Sequence, residues 1–151
     1  MLPAISHGFP VLFIPSPKEI FLTSPPSIEV VAAVIEKDGK YLITKRLERS
    51  HLGHCWEFPG GKVHPGESLE DCAVRECREE IDVLIKPLRK IKELWHNYPE
   101  ITVHLHFFLC ELISGEPRPV ECADLVWAGP QDLYRFEFPE ADQTILQELS
   151  D

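Results

Sequence analysis

Several features are missing from this chain of 151 residues. No stretch reaches the ~18 consecutive apolar residues that a membrane-spanning helix needs. No CxxC pair occurs among Cys55, Cys72, Cys77, Cys110 and Cys122, and their number is odd, which suits neither a disulfide framework nor a zinc ribbon. Reduced thiols in a cytoplasmic compartment are therefore expected. The N-terminus lacks the pattern of a secretory signal: its first basic side chain is Lys18, and Pro10, Pro15 and Pro17 interrupt its apolar part. Basic residues are also scarce, with 15 Lys and Arg against 25 Asp and Glu for a net charge of −10. That balance argues against duplex nucleic acid or an anionic membrane as the partner, because both carry the same sign. It leaves open a phosphate ligand carried on metal ions.

What is present is one soluble domain. The chain is 44% hydrophobic and 26% charged, and it is long enough to bury a core without covalent staples. Residues 1–27 stand apart. They hold six of the 14 prolines and one short apolar stretch, Val11 to Ile14. Proline at that density excludes helices and central strands, so the segment reads as an extended arm that packs on the domain or on a neighbouring subunit. The chain is expected to act as a monomer or homodimer.

From Ile28 onward the pattern is that of a folded domain, 28–151. Ile28 to Ile35 and Tyr41 to Thr44 flank Asp38-Gly39, the signature of a β-hairpin. Trp56 to Phe58 reads as a short strand ended by Pro59-Gly60-Gly61. Leu69 to Ile81 reads as a helix with Ser68 as N-cap and Asp71 at the capping-box position. Val83 to Trp95 and Ile101 to Leu112 read as two longer strands joined at residues 97–100, followed by a strand at Leu125 to Trp127. Pro139 to Leu149 has apolar residues at helical spacing. Strands before, between and after two helices indicate an α+β sandwich.

The chemistry concentrates between Gly61 and Val83. At 100° per residue, Glu76, Glu79 and Glu80 fall within about 100° of arc on one helix face, away from an apolar face of Ala73, Val74, Cys77 and Ile81. Like charges at this spacing repel, so the face either lies open to water or binds cations. Hard Mg²⁺ or Mn²⁺ favours carboxylate oxygens and retains positions for substrate phosphate. Gly60 and Gly61 let backbone approach a metal or phosphate closely, and Lys62 beside them suits a phosphate oxygen. Arg75 is placed to point away from the three glutamates and to pair with Glu67, pinning the loop to the helix.

Gly61, Glu67, Arg75, Glu76, Glu79 and Glu80 resemble the signature of the Nudix hydrolases at six fixed positions within 23 residues. Asp82 replaces the glycine that ends the helix in that signature. Asp tolerates a left-handed conformation better than most residues, so a stability cost on the order of 1 kcal/mol or less is expected. Trp56 to Lys62 is similar to the lead-in of the MutT branch, the nucleoside triphosphate pyrophosphohydrolases. Ile28 to Ala33, Asp38 to Lys40 and His104-Leu105-His106 are similar to the branch that prefers pyrimidine nucleotides such as CTP.

The resemblance implies a Nudix-type α/β/α sandwich with a mixed sheet between helices. It also implies a metal-dependent hydrolase that releases a nucleoside monophosphate and pyrophosphate from cytosine-type or oxidised nucleotides, a nucleotide-pool sanitation activity. Glu76, Glu79, Glu80 and the carbonyl of Gly60 would bind Mg²⁺, or Mn²⁺ in its place. Glu121 would add a loop carboxylate that binds metal or acts as base. Arg46 would contact phosphate. Phe58 and Tyr98 would border the base, and Asp142 would read its edge. The family members that select 8-oxoguanine carry Asn at that last position, so strict 8-oxo-dGTP specificity is not implied. Other readings are hydrolysis of nucleotide sugars or dinucleotides, and a non-catalytic nucleotide-binding module; loss of a signature glutamate would mark the last, and none is lost. His51, His54 and His64 flank the expected pocket. His104 and His106 share one face of a strand with no third metal ligand evident near them, and read as ordinary histidines.

Overall fold

The computed structural model describes residues 26–151. The apolar stretch Val11 to Ile14, and nearly all of the expected arm, lie outside the described residues. No helix among the described residues is long and apolar enough to cross a membrane.

Seven strands form one mixed sheet: β1 (Ser27–Lys37), β2 (Lys40–Lys45), β3 (Trp56–Glu57), β4 (Gly60–Lys62), β5 (Leu84–Asn97), β6 (Thr102–Ser114) and β7 (Asp124–Ala128). The order along the sheet is β3-β2-β1-β6-β5, with β4 paired to β1 and β7 paired to β2. The hairpin from β1 to β2 turns at Asp38-Gly39, where φ is 52° and 76°. Two successive left-handed residues match the twist of the flanking strands, which is why Asp-Gly suits this turn. Strand β6 returns parallel to β1, with Glu29 opposite His104 and Val31 opposite His106. Strand β5 runs antiparallel to β6 along the sheet edge, and Pro87 is tolerated there beside a register shift because an edge strand has a side that needs no donor.

The two faces of β1 feed two cores. Val31, Ala33 and Ile35 pack with Phe108 and Cys110 against Cys72, Ala73, Cys77 and Ile81 of helix α1 (Leu69–Ile81). Ala32 and Val34 pack on the other face with Phe107, Leu133 and Phe138, and with Ile145 and Leu146 of helix α2 (Gln143–Ser150). Helices therefore cover both faces of a mixed sheet, the expected α/β/α sandwich. All five cysteines are free and buried.

Helix α1 begins and ends as its sequence indicates. The Asp71 N–H donates to Ser68 Oγ (3.0 Å), and Asp82 terminates the helix at φ 57°, ψ 45°. Two expectations need correction. Gly60–Lys62 is a strand rather than a strand's end, because β1 supplies it with a ladder in which Val31 faces Gly61. The closing helix does not run unbroken from Pro139: Glu140–Asp142 form a 3₁₀ turn, in which the Asp142 N–H bonds the Pro139 carbonyl (3.0 Å), before α2 begins. A second 3₁₀ helix, Pro130–Arg135, buries Leu133 beneath α2 and was not legible in the sequence.

Candidate active site

A cleft of about 510 Å³ opens where β1, β4, β6 and helix α1 meet the loops after β2, β5 and β6. Glu57, Glu76, Glu80 and Glu121 line it, with Gly60, Gly61, Lys62 and Arg46. Phe58, Tyr98 and Asp142 line it too, together with apolar residues of β1 and β6. One cleft therefore joins Gly61, Glu76 and Glu80 of the signature to the residues expected to border the base.

Helix α1 aims Glu76 and Glu80 inward past the two glycines. The Gly60 N–H donates to Glu80 Oε1 (3.3 Å), and a side chain on Gly61 would place its Cβ 2.5 Å from the Glu76 carboxyl carbon. Gly60 has no room for a side chain against the Val31 carbonyl. The Glu121 loop is tied to the end of α1 by its N–H donating to the Glu80 carbonyl (3.1 Å).

Arg75 does not point away from the glutamates. Its guanidinium donates to both oxygens of Glu67 (2.7 and 3.0 Å), to Glu76 Oε1 (2.9 Å), to Glu79 Oε1 (2.8 Å) and to the Lys62 carbonyl (3.0 Å). A planar fork of five donors can meet several carboxylates at once, and the carboxylates of α1 attract it. The Glu67 carboxyl is held down at about 2, first by its bond from Arg75 and then by the His64 N–H. Glu79 is consequently drawn to Arg75 at the margin and is absent from the cleft lining.

The sequence reading missed Glu57. It accepts from Arg46 Nη1 (2.7 Å), while Arg46 Nε donates to the His51 carbonyl (2.7 Å). Arg46 thus reaches the cleft already positioned by a carboxylate. The alternation of Trp56, Glu57 and Phe58 was the available signal: Trp56 and Phe58 pack into the same core, so Glu57 between them faces the other way. Of the three flanking histidines, His51 and His64 line the cleft, whereas His54 pairs with Glu137.

Charge in the cleft is frustrated. Burial pushes the Glu80 carboxyl well above the usual carboxylate range, and Glu57 and Glu76 push it further. Glu76 is raised by burial and by Glu79 and Glu121, partly offset by Arg75. Glu57 is raised by burial against the opposing pull of Arg46. Carboxyls that raise one another in a desolvated cleft constitute a donor set suited to a hard divalent cation, whose charge would reverse the penalty. At the other end, Asp142 is 8% exposed, and its carboxyl is pushed up to about 7 by burial and then by Glu57. Tyr98 is raised by burial and by Asp142.

Fold and site together define a hydrolase-type scaffold with a carboxylate cluster beside a nucleotide-sized cleft. A model of the NUDIX domain matches residues 30–148, and the chain belongs to that family. It is 35% identical over 120 residues to the CTP pyrophosphohydrolase of Escherichia coli, covering 80% of this chain and 89% of that protein. It is 29% identical over 119 residues to the 8-oxo-dGTP diphosphatase of the same organism, covering 79% and 92%. The solution structure of the E. coli ORF135 protein superposes with a TM-score of 0.71 at 34% identity, covering 82% of this chain and 88% of that one. A MutT NUDIX hydrolase from Burkholderia pseudomallei gives 0.70 at 30% identity, covering 80% and 96%.

Proposed function

We propose that this chain is a divalent-metal-dependent nucleoside triphosphate pyrophosphohydrolase that releases a nucleoside monophosphate and pyrophosphate. The observation that carries the reading is the single cleft joining Glu57, Glu76, Glu80 and Glu121 to Phe58, Tyr98 and Asp142. Glu76, Glu80 and Glu121 would hold the metal, with Glu79 recruited from Arg75 and the Gly60 carbonyl contributing. Mg²⁺, or Mn²⁺ in its place, supplies Lewis-acid polarisation of the phosphate chain and offsets its charge.

The chain's own residues do the rest. Arg46, oriented by Glu57, and Lys62 meet phosphate oxygens along the cleft. Arg75 and Glu67 lock the loop to the helix, so that Glu76 keeps its position against Gly61. Glu76 and Glu121 are the two carboxylates placed to take the proton of an attacking water for in-line displacement at phosphorus. The free buried thiols suit a reducing cytoplasm.

Asp142 is the reader of the base. An ionised Asp only accepts hydrogen bonds and suits the cytosine N4 amino group, whereas a protonated one donates. With its carboxyl near 7, both forms exist at neutral pH. The preference for cytosine-bearing over guanine-bearing triphosphates should therefore grow as pH rises from about 6 to about 8. A nucleotide panel with Mg²⁺, scored for pyrophosphate against orthophosphate, tests the function. Orthophosphate release, or turnover only of nucleotide sugars, would replace the reading.

A further inference from the structure

The sheet carries a second cluster of ligating groups on the face that α1 covers. Ile28 and Val30 of β1 and Val103 and Leu105 of β6 line the cleft. Side chains alternate along a strand, so Glu29, His104 and His106 point away from it. Pairing of β1 with β6 sets Glu29 opposite His104 in a parallel ladder, and pairing with β5 sets Glu93 opposite His106 and Trp95 opposite His104. Residues 75 positions apart thereby meet.

Glu29 Oε1 stands 2.7 Å from His106 Nε2 and 2.9 Å from His104 Nδ1. One atom from each of the three groups can be chosen so that all lie within 4.8 Å of one another. His106 is 3% exposed. The opposite edges of the rings, His104 Nε2 and His106 Nδ1, are buried without a hydrogen bond, and the nearest carboxylate oxygen to each is Glu93 Oε2 at 3.7 and 3.4 Å.

This arrangement poses a problem of proton count. A neutral imidazole carries one N–H. If the N–H groups face Glu29, two lone pairs face the Glu93 carboxylate. If they face Glu93, two lone pairs and the Glu29 carboxylate converge on one point. One imidazolium leaves the neutral ring with a buried lone pair facing a carboxylate, and two imidazolium rings would have their centroids 4.1 Å apart, where like charges repel. A cation at the point of convergence resolves the count with each ring neutral. The N–H groups then point at Glu93, as the outer nitrogens of metal-bound histidines point at carboxylates.

We propose that Glu29, His104 and His106 bind a borderline divalent metal ion, of which Zn²⁺ best matches two imidazoles and a carboxylate, on the α1 face of the sheet, opposite the Ile28, Val30, Val103 and Leu105 side chains that line the cleft. Tetrahedral ligands at about 2.0–2.1 Å from zinc stand roughly 3.3 Å apart, so Glu29 Oε1 needs to stand about half an ångström further from each ring nitrogen. The Glu29 side chain is half-exposed and can swing, and solvent reaches the site from its side to supply a fourth ligand. The ion would staple β1 to β6 and is independent of the hydrolase reading, because the cleft carboxylates select hard ions and this set does not.

The test uses the whole chain, stripped with chelator and then held in excess Mg²⁺ to fill the cleft carboxylates. Zn²⁺ is added while bound metal and melting temperature are measured. The wild type should bind one Zn²⁺ more than His104→Asn/His106→Asn and should melt higher on binding, with the Zn²⁺ affinity of Glu29→Gln reduced tenfold or more. Trp95 stacks on His104 at 3.7 Å, so its emission should respond to Zn²⁺, and Trp95→Phe should lose that response. Equal zinc stoichiometry in wild type and double variant overturns the proposal. Should the double variant not fold, Glu29→Gln decides alone: Zn²⁺ affinity reduced tenfold or more against wild type supports the site, and equal affinity overturns it.

Discussion

Replacing Asp142 by Asn should stabilise the protein at neutral and alkaline pH and leave it nearly unchanged in acid. The carboxyl is buried at 8% exposure, and burial, followed by the charge of Glu57, pushes it up to about 7 from the ordinary 3.8 of an unfolded chain. Between those values the folded state keeps a proton that the unfolded state has lost. Folding stability from this group is therefore fully present below about pH 4 and is lost as pH rises to about 7. At about 1.4 kcal/mol per pH unit the loss has a ceiling of about 4 kcal/mol; water in the open cleft lowers the expected value to about 2 kcal/mol. Asn is nearly isosteric and cannot ionise. Urea unfolding of both proteins without divalent metal, at about pH 4 and about pH 8, measures the effect, and the difference between them cancels the carboxyls that are not coupled to Asp142. The variant should gain about 2 kcal/mol relative to wild type between the two conditions. A constant difference at both pH values would show that Asp142 ionises as freely in the fold as in the unfolded chain, and would refute the argument.

Two further predictions concern the helix and its glycine lead-in. Gly61→Ala should lower turnover at least tenfold with little loss of stability, because its Cβ displaces the Glu76 carboxylate, the mobile end of a side chain, rather than backbone; kcat and thermal melting check both halves. Asp82 sits at φ 57°, so Asp82→Gly should leave the melting temperature unchanged or higher, whereas Asp82→Val should cost about 1–2 kcal/mol in chemical denaturation.

Local chemistry made much of this molecule legible. The Ser68 cap, the period of Cys72, Ala73, Cys77 and Ile81, and the Asp38-Gly39 turn each depend on near neighbours in the chain, and each stands where the sequence indicated. The spacing of Gly61, Glu67, Arg75 and Glu76 survives for the same reason: a loop and one helix hold it. What escaped depends on distant pairing. Gly60–Lys62 has poor strand propensity and is a strand only because β1 lies beside it. Glu57 acquires a role from Arg46, which a neighbouring strand delivers. Glu29 becomes the third member of a histidine cluster only through the parallel pairing of β1 with β6, correcting the expectation that none was near. Helical spacing gives the direction of the Arg75 Cα–Cβ bond but not that of a long guanidinium arm, which follows the surrounding charge.

The most direct test of the central claim is product analysis of CTP and 8-oxo-dGTP turnover by the wild type and Glu80→Gln in Mg²⁺. The wild type should release pyrophosphate and nucleoside monophosphate in equal amounts, and Glu80→Gln should reduce that rate by orders of magnitude while remaining folded. Undiminished pyrophosphate release by folded Glu80→Gln, or none from the wild type with either nucleotide, would contradict the assignment of this carboxylate cleft to phosphoanhydride hydrolysis.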